Sequence, residues 1–259
     1  GLRVKLVAAI GNDGLGNYAL NELKNKGLDT EGVAVLDGCP TSVILVSRTS
    51  GTPEFIPYRE ADKEIHETQI ADSVLQRTRL FHTTCFALSQ EPARSTILNR
   101  AAKAVSLGCK LSIDINYAPG IWPEIEKAHA VIKQYGALNP LIKLSEDDIL
   151  RFFGKPVDHQ EAFDFFHQIG AEWVCLTLGS KGVKLSIKGQ ETLFKEAVPI
   201  EHVADATGAG DAFWSGFLFA YLNKKSPDSC LQSGLKLAAI KLQTIGGLPA
   251  ELDVNSVMD

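Results

Sequence analysis

Short apolar segments rich in β-branched residues alternate with amphipathic helical segments along most of this chain. This alternation constrains the fold more than any other feature, because buried strands separated by helices favour a parallel sheet with helices on both faces. The sequence therefore predicts an α/β fold with a mostly parallel central sheet. Predicted strands occupy residues 4–10, 80–84, 110–115, 141–144 and 173–178, and predicted helices occupy residues 18–26, 67–77, 92–107, 123–135, 146–153, 160–169, 208–223 and 229–245.

Residues 41–60 depart from this alternation. Two β-rich segments, 41–47 and 54–58, flank the sequence Ser50-Gly51-Thr52, which is typical of the turn of a β-hairpin. We expect a small antiparallel β lid here, and an extension of the main sheet at its edge is the alternative. Because the sequence has no internal repeat or linker, residues 1–259 are predicted to form a single domain that carries this lid.

The composition argues against several classes of protein. The chain has a formal net charge of −5 and no basic tract, so nucleic acid is not an expected partner. No uncharged apolar run has the length of a membrane span and no signal peptide is visible, so a membrane is not expected either. The five cysteines include no C-x-x-C pair, which is typical of buried thiols in a reducing compartment. These features predict a cytoplasmic protein.

The sequence Asp205-Ala206-Thr207-Gly208-Ala209-Gly210-Asp211 places small residues directly before a strongly apolar helix. The N–H groups in the first turn of a helix have no intrahelical partner. At Gly208, Ala209 and Gly210 no bulky side chain screens them, so they favour an anion together with the positive end of the helix. The Asp211 carboxylate would repel an anion, but it could take a proton from a nucleophile while the N–H groups stabilise a transferred group. An ordinary glycine-rich helix start is the alternative.

This tract resembles the D-T-x-G-A-G-D signature of the ribokinase family of sugar kinases, the PfkB-type carbohydrate kinases. The resemblance implies that Asp211 is the catalytic base and that the N–H groups of residues 208–211 bind a phosphoryl group. It also implies that Asp205 and Thr207 lie near a loop that binds a monovalent cation, such as K⁺, in some members. The activity that the resemblance implies is ATP-dependent phosphorylation of a small sugar, with Mg²⁺.

Two glycine-containing segments resemble nucleotide-binding segments of the family. One follows the predicted strand 173–178 and is similar to the T-L-G-x-x-G loop, and the other, at Gly246 and Gly247, is similar to the closing region beside the adenine. Each segment alone indicates no more than a turn. In the first segment, the residues that the resemblance places at ATP are Thr177, Gly179, Ser180 and Gly182.

The sequence Lys143-Leu144-Ser145-Glu146-Asp147-Asp148 resembles the N-x-x-E motif of the family, with Ser145 in place of Asn and Asp148 in place of Glu. The resemblance implies that Asp148 acts on Mg²⁺ through water and that Ser145 lies near the nucleotide. Mg²⁺ keeps several waters and needs only one or two carboxylates, so Asp can replace Glu. The alternative is a helix start in which Ser145 is the N-cap and the acids fill the first turn.

Four further residues are expected at the sugar. Asp13 lies in a G-x-x-G-x-G sequence that resembles the G-D-D-x-x-G stretch of the family and differs from the dinucleotide-binding G-x-G-x-x-G. Asp114 and Asn116 follow a predicted strand, and Arg59 closes the predicted lid. The structural alternatives are a turn at Asp13, a helix cap at Asp114 and a surface position for Arg59.

The segment from Asp114 resembles the D-x-N-x-R stretch of fructokinase-like members, with Ala118 at the position of the Arg. In the family that Arg often contacts a phosphate or carboxylate, so its absence argues against an acidic sugar. A ketohexose such as fructose is the predicted substrate, and ketodeoxygluconate, ribose or a nucleoside are alternatives. A non-catalytic nucleotide or sugar sensor on the same fold is an alternative of another class, and a dehydrogenase has only the glycines of residues 11–16 in its favour.

The resemblance covers nearly the whole chain but begins late. Members of the family usually start with a strand that carries a sugar-binding Asp, followed by Gly-Gly-x-x-x-Asn at a helix start, and the residues before Val4 supply neither. A protein without that segment is expected to bind nucleotide and to phosphorylate poorly. The lid is often a dimer surface in the family, so the resemblance also implies a homodimer through residues 41–60.

Overall fold

A computed structural model describes residues 2–47, 54–122, 124–249, 251–253 and 256–257. The chain divides into two compact units, one of residues 3–140 and one of residues 141–259 with the first two residues. The predicted turn at Ser50-Gly51-Thr52 lies outside the described residues. That residues 1–259 form a single domain stays a prediction. Of the helices that the structure describes, none is both long enough and apolar enough to cross a lipid bilayer.

Parallel strands separated by helices form most of the unit of residues 3–140. Its elements are β1 (Ala8–Gly11), α1 (Gly14–Asn25), β2 (Val33–Leu36), β3 (Val43–Ser47), β4 (Glu54–Tyr58), α2 (Asp72–Leu75), β5 (Leu80–Thr84), α3 (Ala93–Ser106), β6 (Lys110–Asp114) and α4 (Ile125–Gly136). Strands β1 and β2 pair in parallel, as do β5 and β6. Strands β3 and β4 pair with each other in antiparallel orientation, with Val43 opposite Tyr58, which confirms the small antiparallel sheet.

The unit of residues 141–259 continues the alternation and adds two long helices. Its elements are β7 (Leu141–Ser145), α5 (Glu146–Phe153), α6 (His159–Gln168), β8 (Trp173–Thr177), β9 (Val183–Ile187), β10 (Leu193–Lys195), α7 (Ala209–Leu222) and α8 (Pro227–Leu242). Strand β7 pairs in parallel with β8, and β9 and β10 follow β8 in antiparallel pairs. The predicted α/β class with mostly parallel strands is confirmed, and the antiparallel β9 and β10 were not predicted.

Side-chain caps mark the starts of four of the described α-helices, namely α1, α5, α6 and α8. The Asp13 carboxylate accepts the Gly16 N–H at 2.8 Å and so caps α1. Ser226 caps α8, and Pro227 occupies its first helical position. An N–H at that position would have no intrahelical partner, so proline, which lacks it, loses no hydrogen bond there. Helix α7 has no side-chain cap, and its N-cap is Gly208 in a left-handed conformation.

Helices α7 and α8 pack closely at two glycines. A methyl group at Gly216 would lie 2.6 Å from the Ser233 carbonyl oxygen, and one at Gly234 would lie 2.7 Å from the Phe213 ring. Both distances are well below van der Waals contact, so neither position has room for a side chain. The aromatic residues of α7 pack in the core, as expected, with Phe213 and Phe217 buried.

The prediction of one helix over residues 67–77 is wrong. The segment forms a 3₁₀ turn at Glu67–Gln69, and α2 follows it as a single short turn of helix. The Gln69 side-chain amide donates to the carbonyl oxygens of Ala8 at 2.9 Å and Gly32 at 3.1 Å. These hydrogen bonds to residues distant in sequence outweigh the local helical pattern, which carries no information about them.

We expect Gly216→Ala to lower the free energy of unfolding by about 1–3 kcal/mol, as overpacking a close-packed interior does. The added methyl group would overlap the Ser233 carbonyl oxygen. Urea unfolding followed by circular dichroism measures the change. Gly14→Ala in the first turn of α1 is the matched control, because no atom lies within 4 Å of the methyl group it adds, and its stability should equal or exceed that of the wild type. Equal midpoints for Gly216→Ala and the wild type would contradict the close packing.

Candidate active site

The first turn of α7 places an exposed carboxylate beside backbone N–H groups. Gly208 adopts a left-handed conformation with a φ of 79°, and its carbonyl oxygen accepts the Ala212 N–H at 2.9 Å. Within the described part of the chain, no hydrogen bond engages the N–H groups of Gly210 and Asp211. Asp211 is exposed and forms no ion pair with a described residue. The arrangement expected of an anion site is present, and the catalytic roles of residues 208–211 stay predictions.

A buried lysine, Lys143 on β7, lies beside this turn. Lys143 is only 5% exposed, and a methyl group at Gly210 would lie 3.0 Å from its Nζ atom. The ammonium therefore adds positive charge next to the N–H groups of the first turn of α7. The sequence reasoning missed Lys143, although a charged residue within the apolar strand Leu141–Ser145 is a signal, since a lysine is rarely buried without a specific partner.

A second buried lysine, Lys241 in the last turn of α8, contacts the loop that precedes α7. Its Nζ atom lies 3.3 Å from the Asp205 carbonyl oxygen, 3.4 Å from Asp205 Oδ2 and 3.1 Å from the Thr244 carbonyl oxygen. The other carboxylate oxygen, Asp205 Oδ1, accepts the Thr207 N–H at 2.9 Å. Asp205 thus joins the loop before α7 to the end of α8, and no pattern in the sequence brings these segments together.

Hydrogen bonds hold the pKa of the Asp205 carboxyl group at about 2, below its ordinary value of 3.8. The largest cause is the Thr207 N–H, followed by the Thr207 hydroxyl group, and the Lys241 charge acts in the same direction. Each of these contacts favours the ionised form of the carboxyl group. Asp205 therefore meets the Lys241 ammonium as a carboxylate. That Asp205 and Thr207 bind a monovalent cation stays a prediction.

Ser145 and Asp148 form a reciprocal capping box at the start of α5. The Ser145 hydroxyl oxygen accepts the Asp148 N–H at 3.1 Å, and Asp148 Oδ2 accepts the Ser145 N–H at 2.8 Å and its hydroxyl at 2.7 Å. Asp148 is buried. These are the contacts that the helix-cap alternative predicts. The roles of Asp148 at Mg²⁺ and of Ser145 at the nucleotide stay predictions.

The two predicted nucleotide segments are turns at the surface of the same unit. Gly182 has a φ of 115°, and a methyl group there would lie 2.1 Å from the Lys195 carbonyl oxygen, so only glycine fits. Its carbonyl oxygen accepts the Leu178 N–H at 2.8 Å and closes the turn after β8. The exposed predicted residues are Gly179, Ser180, Gly246 and Gly247, while Thr177 at the end of β8 is half-buried. Contacts with ATP stay predictions.

In the unit of residues 3–140, Asp13 is engaged by the start of α1 and by Thr41. Asp13 Oδ1 accepts the Gly16 N–H and the Thr41 hydroxyl, both at 2.8 Å, and Oδ2 accepts the Thr41 N–H at 2.7 Å. These bonds, first among them the one from the Gly16 N–H, lower the pKa of Asp13 from its ordinary value. Asp13 therefore joins α1 to the segment before β3, and its contact with a sugar stays a prediction.

The guanidinium group of Arg59, directly after β4, is enclosed by side chains of its own unit. Arg59 Nε donates to Asp62 Oδ2 at 2.8 Å, and Nη1 donates to the Ser89 hydroxyl. The guanidinium carbon lies 4.0 Å from the centre of the Phe86 ring, and the side chain is only 4% exposed. The ion pair and the cation–π contact leave the guanidinium little capacity to bind a substrate anion.

Asp114 is the last residue of β6 and is buried, with 2% of its surface exposed. Its Oδ1 atom accepts the Asn116 N–H at 3.3 Å, and its carbonyl oxygen accepts the Cys85 N–H at 2.9 Å. Asn116 is exposed. Both residues lie at the carboxyl end of a parallel strand, where ligands of open α/β sheets bind. Their contacts with a sugar stay predictions.

Residues 1–252 match the pfkB family carbohydrate kinases, and the chain belongs to that family. An ATP-dependent 6-phosphofructokinase of Thermoanaerobacterium thermosaccharolyticum is 32% identical over 257 residues, which are 99% of this chain and 79% of that protein. Fructokinase-1 of Oryza sativa subsp. japonica is 28% identical over 268 residues, which are 98% of this chain and 82% of that protein. The prediction of a sugar kinase is confirmed.

A solved structure supports the same fold. The structure of an E. coli protein in complex with ATP and Mg²⁺ superposes with a TM-score of 0.85 at 21% identity, and it covers 99% of this chain and 82% of that chain. At this level of identity the similarity shows the fold alone. The predicted ribokinase-like α/β fold is confirmed.

The low pKa of Asp205 predicts how stability depends on pH. Because the pKa in the folded protein is about 2 and the ordinary value is 3.8, the ionised carboxylate stabilises the folded state above pH 3.8, and this contribution is lost as the pH falls through about 2. We expect Asp205→Asn to be less stable than the wild type near neutral pH. The difference should shrink toward pH 2 in thermal unfolding curves recorded at a series of pH values.

Asp164→Asn is the control for this experiment, because Asp164 is an exposed acid on α6. We expect it to follow the wild type at every pH. A stability difference between Asp205→Asn and the wild type that stays constant down to pH 2 would contradict the assignment.

Proposed function

We propose that this sugar kinase transfers the γ-phosphoryl group of ATP to a primary hydroxyl group of a ketohexose such as fructose. The observation that carries the proposal is the exposed Asp211 carboxylate in the first turn of α7, beside the N–H groups of Gly210 and Asp211 that no described residue engages. A carboxylate can accept the hydroxyl proton, and N–H groups at a helix start can stabilise a transferred anion. Membership of the carbohydrate kinase family supports the same reaction.

In the proposed reaction the sugar hydroxyl oxygen forms a bond to the γ-phosphorus while the bond from the γ-phosphorus to its leaving oxygen breaks. The electron pair of the broken bond leaves on ADP. Asp211 accepts the hydroxyl proton and later releases it to solvent. The N–H groups of residues 208–211 and the Lys143 ammonium, which lies beside Gly210, offset negative charge on the phosphoryl group.

Mg²⁺ bound with the nucleotide would supply positive charge that offsets the charge of the phosphate groups. No set of three His, Cys, Asp or Glu side chains placed to bind a metal occurs among the residues that the structure describes. An ion held mainly by phosphate oxygens and water fits this chain, because Mg²⁺ needs only one or two carboxylates. We assign that carboxylate to Asp148, whose Oδ2 atom serves the capping box. The E. coli protein of the same fold was solved in complex with ATP and Mg²⁺, the two ligands proposed here.

The nucleotide is assigned to the unit of residues 141–259. The turn closed at Gly182 follows the carboxyl end of the parallel strand β8, where ligands of α/β sheets bind, and this position supports the assignment. The exposure of the turns after β8 and after α8 supports it as well. The proposed nucleotide contacts are Ser145, Thr177, Gly179, Ser180, Gly182, Gly246 and Gly247.

Two observations favour a neutral ketohexose over a sugar phosphate. The Arg59 guanidinium is engaged by Asp62 and Phe86. Ala118 stands where fructokinase-like members often carry an anion-binding arginine. The 6-phosphofructokinase among the relatives makes fructose 6-phosphate the second candidate. Asp13, Asp114 and Asn116 are the proposed contacts of the sugar hydroxyl groups.

A panel of acceptors tests the substrate. ADP release is measured with fructose, fructose 6-phosphate, ribose, ketodeoxygluconate and a nucleoside. We expect kcat/KM for fructose to exceed that for fructose 6-phosphate by about 10-fold or more, because a charged hydrogen bond that the site cannot make is worth about 1.5–3 kcal/mol. A higher kcat/KM for fructose 6-phosphate would replace fructose by its phosphate as the substrate.

We expect Asp211→Asn to lower turnover by about 10²-fold or more, as loss of a general base does. The melting temperature and the dissociation constant for ATP should stay at their wild-type values, since Asp211 is exposed and makes no ion pair with a described residue. Ser215→Ala is the matched control, because Ser215 is an exposed residue one turn further along α7.

Wild-type turnover in Asp211→Asn would refute the assignment of the base. A wild-type protein that binds ATP and phosphorylates no acceptor of the panel would instead favour the sensor function.

We further propose that the β3–β4 sheet is a dimer surface. In a strand, neighbouring side chains point to opposite faces of the sheet. Ile44 and Leu45 are neighbours on β3 and are 41% and 50% exposed, and Ile56 and Tyr58 on β4 are 43% and 61% exposed. Leu45 lies opposite Ile56, and Tyr58 is two residues further along β4, so these three exposed apolar side chains share one face of the sheet, as in an interaction surface.

The cysteines support a location in the cytoplasm. All five are free thiols, and Cys39 is the one that is only partly buried. Thiols that form no disulfide are typical of a reducing compartment. We propose that the protein acts there.

A further inference from the structure

The Lys241 ammonium occupies a site lined by oxygen atoms from two separate segments. Its three nearest oxygens are the carbonyl oxygen and Oδ2 of Asp205 and the carbonyl oxygen of Thr244, at distances of 3.1 to 3.4 Å. Lys241 is 5% exposed. An ammonium group has three N–H donors and a buried charge is costly without partners, so three oxygens with one negative charge among them match its needs.

This charged contact lies against the loop that leads into α7. A methyl group at Gly208 would lie 3.7 Å from Lys241 Cε. The carboxylate that meets the ammonium through Oδ2 also accepts the Thr207 N–H through Oδ1. The ammonium therefore holds the Asp205 carboxylate in position, and that carboxylate holds the turn at Thr207. The N–H groups at the start of α7 follow directly after this turn.

We propose that Lys241 is a positioning residue whose ammonium serves as the resident monovalent cation of this loop, so that the kinase needs no bound monovalent metal ion there. The proposal rests on the proposed function in one respect, namely that the N–H groups of residues 208–211 hold the transferred phosphoryl group. It replaces the expectation of a free K⁺ at Asp205 and Thr207. The cation is supplied by the chain itself and is held in place by the α8 helix.

Removal of the ammonium should leave a space lined by the same oxygens, which a small cation can enter. We would compare the wild type, Lys241→Ala and the control Lys236→Ala, in which a lysine of α8 that contacts the Ser256 carbonyl oxygen is removed instead. Turnover and melting temperature are measured in choline chloride, NaCl, KCl and NH₄Cl at one ionic strength. Choline is too large for the space and serves as the cation-free condition.

The wild type and Lys236→Ala should show the same turnover and melting temperature in all four salts. Lys241→Ala should show at least a 10-fold lower kcat in choline chloride, with a smaller change in the KM for ATP. KCl or NH₄Cl should restore at least part of that kcat along a saturable curve and should raise the melting temperature of this variant alone.

Several outcomes would overturn the proposal. One is a wild-type turnover or melting temperature that rises with K⁺. Another is an Lys241→Ala variant that equals the wild type in choline chloride. The third is a loss of kcat in Lys241→Ala that no cation restores, because removal of the aliphatic stem would then explain the lower kcat. If Lys241→Ala does not fold, Lys241→Met keeps that stem and undergoes the same measurements. The melting temperatures test the cation site even if the wild type phosphorylates no sugar, so failure of the proposed function and failure of this inference are distinguishable.

Discussion

The close antiparallel packing of α7 and α8 determines the geometry of the candidate site. Gly216 on α7 meets Ser233 on α8, and Gly208 before α7 meets Lys241 near the end of α8. The two helices therefore run antiparallel, so the start of α7 lies beside the end of α8. Because Gly216 has no side chain, the backbones of α7 and α8 lie close together there. This close packing also places the Lys241 ammonium beside the loop before α7. The packing of two apolar helices thus sets the position of a charge.

The start of α7 differs from the side-chain-capped starts of α1 and α5 in a way that suits ligand binding. In α1 and α5 the side chains of Asp13 and Ser145 accept N–H groups of the first turn. A residue that caps a helix in this way stabilises it by about 1 kcal/mol and uses a donor that could bind a ligand. Helix α7 begins at a left-handed Gly208 without a side-chain cap. Its stability comes instead from its buried apolar residues, among them Phe213 and Phe217.

Much of the fold follows from local pattern, because strands and helices depend on the periodicity of nearby apolar residues. The strand at residues 80–84 and the helix at residues 146–153 were predicted with their observed bounds. The helix predicted over residues 67–77 failed because Gln69 bonds to backbone far away in the sequence. Strand β9 alternates apolar and polar residues as Val183-Lys184-Leu185-Ser186-Ile187, so the same reasoning could have found it.

The candidate site was predictable only where one segment holds all of its parts. The glycines and Asp211 lie within a single turn, so the sequence alone predicts their proximity. Lys143 and Lys241 lie far from that turn in the sequence and reach it only through the packing of β7 and α8, which no motif encodes. Asp148 and Asp13 show that one carboxylate can satisfy a structural pattern and a motif at once, since Asp148 bonds to Ser145 at the start of α5 and Asp13 caps α1. Their contacts with ligands stay predictions.

A buried lysine, Lys143, bears on an electrostatic difficulty that the proposed site poses. In the proposed reaction the Asp211 carboxylate would repel a phosphoryl group bound at the first turn of α7. Two like charges about 4 Å apart at an effective dielectric constant near 20 oppose each other by about 4 kcal/mol. The N–H groups of one helix start, which carry about half a unit charge, do not offset this. Lys143 lies beside Gly210, and Lys241 lies beside Gly208, although Asp205 neutralises most of the second charge. The Lys143 ammonium therefore lies where it would oppose the repulsion between the Asp211 carboxylate and an anion at the first turn of α7.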